Sequence, residues 1–135
     1  MDISTVMQNL NWYAVVAAAL STFIIGGIWY SIFAESWMDA NHFTSDYLKE
    51  RKMPFVFGLS FVLSFVMALN LAMFIGNQGL SYGFLAGFLA GFGWVALAIA
   101  IIALFEKRPL KYVLINGGYM LISFSVMGII LGAWK

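Results

Sequence analysis

The chain has 135 residues, of which 63% are hydrophobic and 10% charged, with a mean hydropathy of +0.92, whereas a soluble domain carries about 25% charged residues. That balance excludes a water-soluble globular fold, and a net charge of +1 gives no electrostatic basis for binding nucleic acid. Cysteine is absent, which removes disulfides, thiol nucleophiles and thiolate metal sites together.

All charged residues lie outside the long apolar runs, so the chain divides into four predicted transmembrane helices at residues 12–33, 53–76, 82–105 and 112–134. Each is about 22 to 24 residues, or about 33 to 36 Å as an α-helix, enough to cross a hydrocarbon core of about 30 Å with some tilt. The expected fold is all-α, a single transmembrane domain over residues 1–135. It is a polytopic four-helix bundle of up-down topology, with a short amphipathic cytoplasmic segment between helices 1 and 2. The segment before the first span has Asp2 and no Lys or Arg, and the apolar run exceeds the usual 7 to 15 residues of a signal peptide, so the span is read as a retained helix. Lys49, Arg51 and Lys52 fall in the first loop and Lys107, Arg108 and Lys111 in the third, leaving only Lys135 elsewhere. By the positive-inside rule these two loops are cytoplasmic and both termini lie outside.

In chain order, the first span opens on Trp12-Tyr13 and carries Ala14, Ala18, Thr22 and Gly26 at four-residue spacing. Trp29, Tyr30 and Trp37 follow as an aromatic cluster at the cytoplasmic interface. In the loop, Thr44-Ser45-Asp46 has the composition of a helix start. His42 stands three and four residues from Asp39 and Asp46, but without further His or Cys this spacing reads as a solvated face rather than a metal site. Pro54 suits the first turn of the second span, along which Ser60, Ser64, Ala68, Ala72 and Gly76 form another small-residue ladder.

The third span begins GFLAGFLAGF (residues 83–92). At about 100° per residue this puts Gly83, Gly87 and Gly91 on one nearly bare side and Phe84, Phe88 and Phe92 on the other. In lipid such a bare face admits close approach of another helix. The short turn of residues 77–81, with Ser81 as a cap, makes helices two and three antiparallel neighbours, which assigns the glycine face to the second span. Trp94 projects onto the same side and is expected to end the close approach. The fourth span carries Gly117, Ser125, Gly128 and Gly132 on one stripe and Asn116, Met120, Ser123 and Met127 on another.

Read together, GGIWYSIFAESWM (26–38), FEKRPLKYVLINGGYM (105–120) and GIILGAW (128–134) resemble a family of small bacterial four-helix integral membrane proteins known only as a domain of unknown function. The resemblance covers nearly the whole chain. It points to Gly27, Trp29, Tyr30, Trp37, Asn116, Gly118, Tyr119, Gly128 and Trp134, and it implies a bacterial inner membrane. It also implies a histidine after the tyrosine of the last helix, where this chain has Met120.

No Asp, Glu, Lys, Arg or His falls inside a predicted span, although such groups are what proton-coupled transport and intramembrane proteolysis require. The expectation is therefore no catalytic residue, no metal and no cofactor. Neutral polar groups remain: Asn70, Asn116, Tyr119, Ser123, Ser60 and Ser64 are the candidate lining of a pore or small-ligand pocket, set against simple helix-to-helix hydrogen bonds. Gly26, Gly83, Gly87, Gly91, Gly128 and Gly132 are the candidate packing positions. The functional expectation is a self-associating channel or binder of a small neutral or hydrophobic solute. The alternative is a non-transporting accessory protein whose partners are lipid or another protein.

Overall fold

A computed structural model describes residues 2–135. Its helices are α1 (Ile3–Gln8), α2 (Trp12–Ile32), α3 (Ala34–Asn41), α4 (Ser45–Lys49), α5 (Met53–Ile75), α6 (Leu80–Ala90), α7 (Leu97–Phe105) and α8 (Leu110–Ala133), with a π-helical turn, Gly91–Ala96, joining α6 to α7. The segment Leu80–Phe105 is thus one rod, and four helices are long and apolar enough to cross a membrane. Each is apolar on every side, as expected where the outer surface meets acyl chains. The loops of residues 33–52 and 106–109 share one end, here the basic end, and both chain termini share the other, the terminal end.

Local chemistry accounts for most boundaries. Asp2 accepts from the Ser4 N–H to start α1, Asn11 accepts from the Tyr13 and Ala14 N–H groups to start α2, and Thr44 accepts from the Tyr47 N–H to start α4. Pro54 lies in the first turn of α5. The loop expected as one short amphipathic segment is two helices, because His42 adopts a left-handed conformation (φ 59°) and closes α3. That break takes His42 and Asp46 off any shared helix face. Ser81 is not a cap either: α6 starts at Leu80 after Gly79, with no side chain capping it.

Helix α8 is central and packs against each of the other three long helices, most extensively against α6. The small-residue ladders pair accordingly. Ala14, Ala18 and Thr22 of α2 are buried together with Ala68 and Ala72 of α5, and the Thr22 hydroxyl donates to Ser64 Oγ at 3.2 Å. With its ladder engaged by α2, α5 makes only sparse contact with α6. The glycine repeat therefore packs on α8, not on α5 as the short connecting turn suggests. A Cβ placed on Gly83 would lie 2.9 Å from Gly132 Cα, and one on Gly87 would lie 2.9 Å from the Phe124 carbonyl carbon. Sequence proximity forces α5 and α6 to be connected neighbours, but four glycines in register, Gly83 and Gly87 with Gly128 and Gly132, determine where the close approach occurs.

The π-helical turn explains how this approach continues past Trp94. In an unbroken α-helix Trp94 follows Gly87 and Gly91 onto the α8 face, where an indole has no room. The wider turn shifts the register by one residue, so Ala96 faces Gly117, on which an added Cβ would lie 3.4 Å from the Ala96 Cβ, and Ala103 is buried further along. Trp94 swings outward and is 72% exposed.

Candidate functional site

The six polar residues expected to line one pore divide between two places. The first is a hydrogen-bonded seam between α2, α5 and α8. The Tyr119 hydroxyl donates to the Thr22 carbonyl at 3.0 Å, and Thr22 in turn reaches Ser64. The buried Ser123 hydroxyl lies beside the Tyr119 phenol but meets no group in hydrogen-bonding geometry among the described residues. Toward the basic end the Tyr30 hydroxyl donates to Asn116 Oδ1 at 2.6 Å, and the Trp29 indole N–H donates to the Ile115 carbonyl at 2.8 Å. Two glycines make this possible. A side chain on Gly118 would meet the Trp29 ring at 2.8 Å, and one on Gly26 would meet Tyr119 at 3.3 Å. The rings then pack among themselves: Tyr30 meets Tyr119 at 5.2 Å and Trp37 at 5.7 Å, both edge-on. Trp29 turns instead to Phe33 at 4.8 Å.

In this seam Asn116 and Tyr119 of α8 and Ser64 of α5 all pair with α2, through Tyr30 and Thr22, as neutral polar side chains do across helices in a membrane bundle. None of the four main clefts of the molecule is lined by them. Ser60 sits half-buried on α5, one turn nearer the basic end than Ser64.

Asn70 is separate. It lies on the opposite side of α5, in a cleft of about 600 Å³ between α5 and the rod Leu80–Phe105. Met67, Leu71 and Phe74 form one wall and Ala86, Leu89, Ala90 and Trp94 the other, over a floor that includes Phe124 of α8. The cleft exists because α5 leans on α2 while α6 is drawn to α8 by its glycines, so the two sequence neighbours splay. Asn70 is about 7 Å from the terminal end of α5, and Trp94 is about 21 Å along the rod from Leu80, close to the middle of the span. The cleft thus lies along the side of the bundle, between the terminal end and the middle of the span. The Asn70 carboxamide has no hydrogen-bonding partner among the described residues and is exposed, whereas an amide in hydrocarbon without a partner is unfavourable by about 1 to 3 kcal/mol. A larger groove of about 700 Å³ runs over Leu80, Phe84, Phe88 and Ile129, but it has only Ser81 as a polar neighbour, at the terminal edge.

The hydrogen bond from Thr22 and the outward position of Trp94 are where the structure departs from the sequence expectations. Thr22 was placed only as a small member of a ladder. Trp94 carried a usable signal, since tryptophan favours the membrane interfaces and this one stands mid-span.

The family model for "Protein of unknown function (DUF1761)" matches residues 13–132. The chain belongs to this family. Its match runs from the start of α2 to the last turn of α8 and so spans all four long helices. No curated protein and no solved structure matches the chain.

Proposed function

We propose that this DUF1761 protein binds a small amphiphilic molecule, mostly apolar with one hydrogen-bonding group, that enters from the lipid between α5 and the rod Leu80–Phe105. The observation that carries the reading is the unpartnered Asn70 carboxamide inside an otherwise apolar cleft of about 600 Å³, a size and lining typical of small-ligand pockets. Asn70 offers both a carbonyl acceptor and an amide donor, so a hydroxyl, carbonyl or amide on the ligand satisfies it. Trp94 and Phe124 provide broad apolar surfaces for the remainder. Passage along the bundle axis is less favoured, because Thr22, Ser64, Tyr30, Asn116 and Tyr119 pair there across α2, α5 and α8, although the Ser123 hydroxyl has no partner among the described residues.

As part of the same proposal the protein sits in a bacterial inner membrane with the basic end cytoplasmic and both termini outside. It acts as a binder rather than an enzyme. Self-association is a separate element of the reading, supported by the exposed row Phe84, Phe88 and Phe92, whose neighbouring rings lie 6.1 and 6.2 Å apart.

Binding of a lipophilic environment-sensitive dye to purified protein in detergent tests the cleft. Ala90→Phe fills it from the half-buried wall and is expected to lower dye binding at least tenfold, while Phe105→Leu, on an outer surface 87% exposed, leaves it unchanged. Equal binding by wild type and Ala90→Phe would remove the basis for the reading.

A further inference from the structure

We propose that the junction of α3 and α4, with the Glu50-Arg51 turn that follows, binds the headgroup of a zwitterionic phospholipid, a phosphate joined to an ammonium arm. The site is a cleft of about 390 Å³ lined by Trp37, Phe43, Tyr47, Leu48, Glu50 and Arg51. Its rings form a continuous wall, with Trp37 edge-on to Phe43 at 5.2 Å and Phe43 stacked on Tyr47 at 5.4 Å. Aromatic faces of this kind attract ammonium groups through the ring quadrupole. Glu50 adds a full negative charge beside them. The neighbouring Arg51 spends its Nε–H on the Leu48 carbonyl at 2.9 Å, which fixes the guanidinium and leaves its terminal N–H groups for phosphate oxygens.

The depth of the site identifies a lipid as the source of this chemistry. Helix α4 ends at Lys49 and the apolar α5 begins at Met53, so Glu50 and Arg51 stand at the level where hydrocarbon gives way to headgroups. Trp and Tyr concentrate at that level because their rings are apolar at one end and polar at the other. Charge then selects among lipids. At this end the six cations Lys49, Arg51, Lys52, Lys107, Arg108 and Lys111 are offset by the five anions Glu35, Asp39, Asp46, Glu50 and Glu106, which is close to balance. Arg108 is already paired with Glu106, and Lys111 with Asp39. Attraction to anionic lipid grows with unbalanced basic charge near the surface, and little is left over. Adjacent free charges of both signs next to an aromatic wall instead match a headgroup that itself carries both.

Full-length protein in non-ionic detergent, given phosphatidylethanolamine, phosphatidylcholine or phosphatidylglycerol with identical acyl chains, tests this by native mass spectrometry of the lipid retained. Either zwitterionic lipid is expected to be retained in preference to phosphatidylglycerol. A preference for the ethanolamine lipid assigns its N–H donors to Glu50, and a preference for the choline lipid assigns its methyls to the rings. Glu50→Gln is expected to reduce zwitterionic retention roughly two- to fivefold, and Tyr47→Leu to do the same by removing one ring. Both positions are exposed, so folding is not at stake. Phosphatidylglycerol retained as well as the zwitterionic lipids, or unchanged retention in both variants, would overturn the proposal.

Discussion

Gly87→Ala is the most direct perturbation of the helix pairing. The added Cβ would stand 2.9 Å from the Phe124 carbonyl carbon and 3.3 Å from Gly128 Cα, and nearer still to the Phe124 oxygen. Ordinary contact begins at 3.4 Å, and since the obstacles are backbone atoms, α6 and α8 must separate by at least about half an ångström along the whole seam. A gap of 0.5 to 1 Å forfeits about a quarter to a half of each dispersion contact, and overpacking of a tight core costs about 1 to 3 kcal/mol. A destabilisation of about 2 kcal/mol is therefore expected. The same substitution at Gly58, where a Cβ would have nothing within 4 Å, is expected to stabilise α5 by about 0.5 to 1 kcal/mol through helix propensity. Reversible unfolding of both variants by sodium dodecyl sulfate in mixed micelles, followed by far-ultraviolet circular dichroism, separates the two. Equal effects of Gly87→Ala and Gly58→Ala would refute the α6–α8 pairing, because a glycine facing lipid would behave alike at either site.

Four further outcomes follow from particular contacts. Tyr30→Phe removes the donor to Asn116 and is expected to destabilise the protein by about 0.6 kcal/mol, the average for such membrane hydrogen bonds, in the same micelle assay. Ser123→Ala, which deletes a buried hydroxyl without a partner, is expected to be neutral or stabilising, and a loss of stability like that of Tyr30→Phe would show that the hydroxyl is bonded. Deleting Val95 restores an α-helical register with Trp94 still seven residues after Gly87 and aimed at α8, so it is expected to destabilise strongly unless Trp94→Ala accompanies it. The Lys111 ammonium, by hydrogen bond and by charge, holds the Asp39 carboxyl below its ordinary value. A carboxyl depressed in the folded state stabilises the α3–α8 contact fully above its ordinary range and loses that contribution as pH falls through the lowered value. The protection of the α3 amides against hydrogen exchange, taken relative to the intrinsic rate at each pH, should thus drop in wild type at acid pH. In Asp39→Asn this protection should already be low at neutral pH and should lack the acid step.

How much of this was legible in the sequence depended on whether the cause was local. Span limits needed only charge positions and apolar length, and Met53–Ile75 and Trp12–Ile32 lie within a residue of the expected 53–76 and 12–33. The helix-start signals, Thr44 as a cap and Pro54 in a first turn, were equally local. The partner of the glycine face was not, because every span carries a small-residue ladder and adjacency in sequence favoured α5. Only the joint fit of Gly83 and Gly87 against Gly128 and Gly132 selects α8. The π-helical turn has no composition of its own, since it relieves a clash between Trp94 and a helix about 25 residues away in sequence. Asn70 and Asn116 looked alike in the sequence, each a lone amide in an apolar run. Their difference arises from Tyr30, which reaches Asn116 across 86 positions, while nothing comparable faces Asn70.

The proposed cleft is tested most directly by what the protein carries. Wild type and Ala90→Phe, purified in parallel from their own membranes and extracted with organic solvent, would be compared by mass spectrometry of the extract. The expected result is an amphiphilic species enriched with wild type at near-stoichiometric amounts and depleted at least tenfold with Ala90→Phe, with Asn70→Leu intermediate. Identical extracts from all three proteins would contradict a ligand-binding role for the space between α5 and the rod Leu80–Phe105.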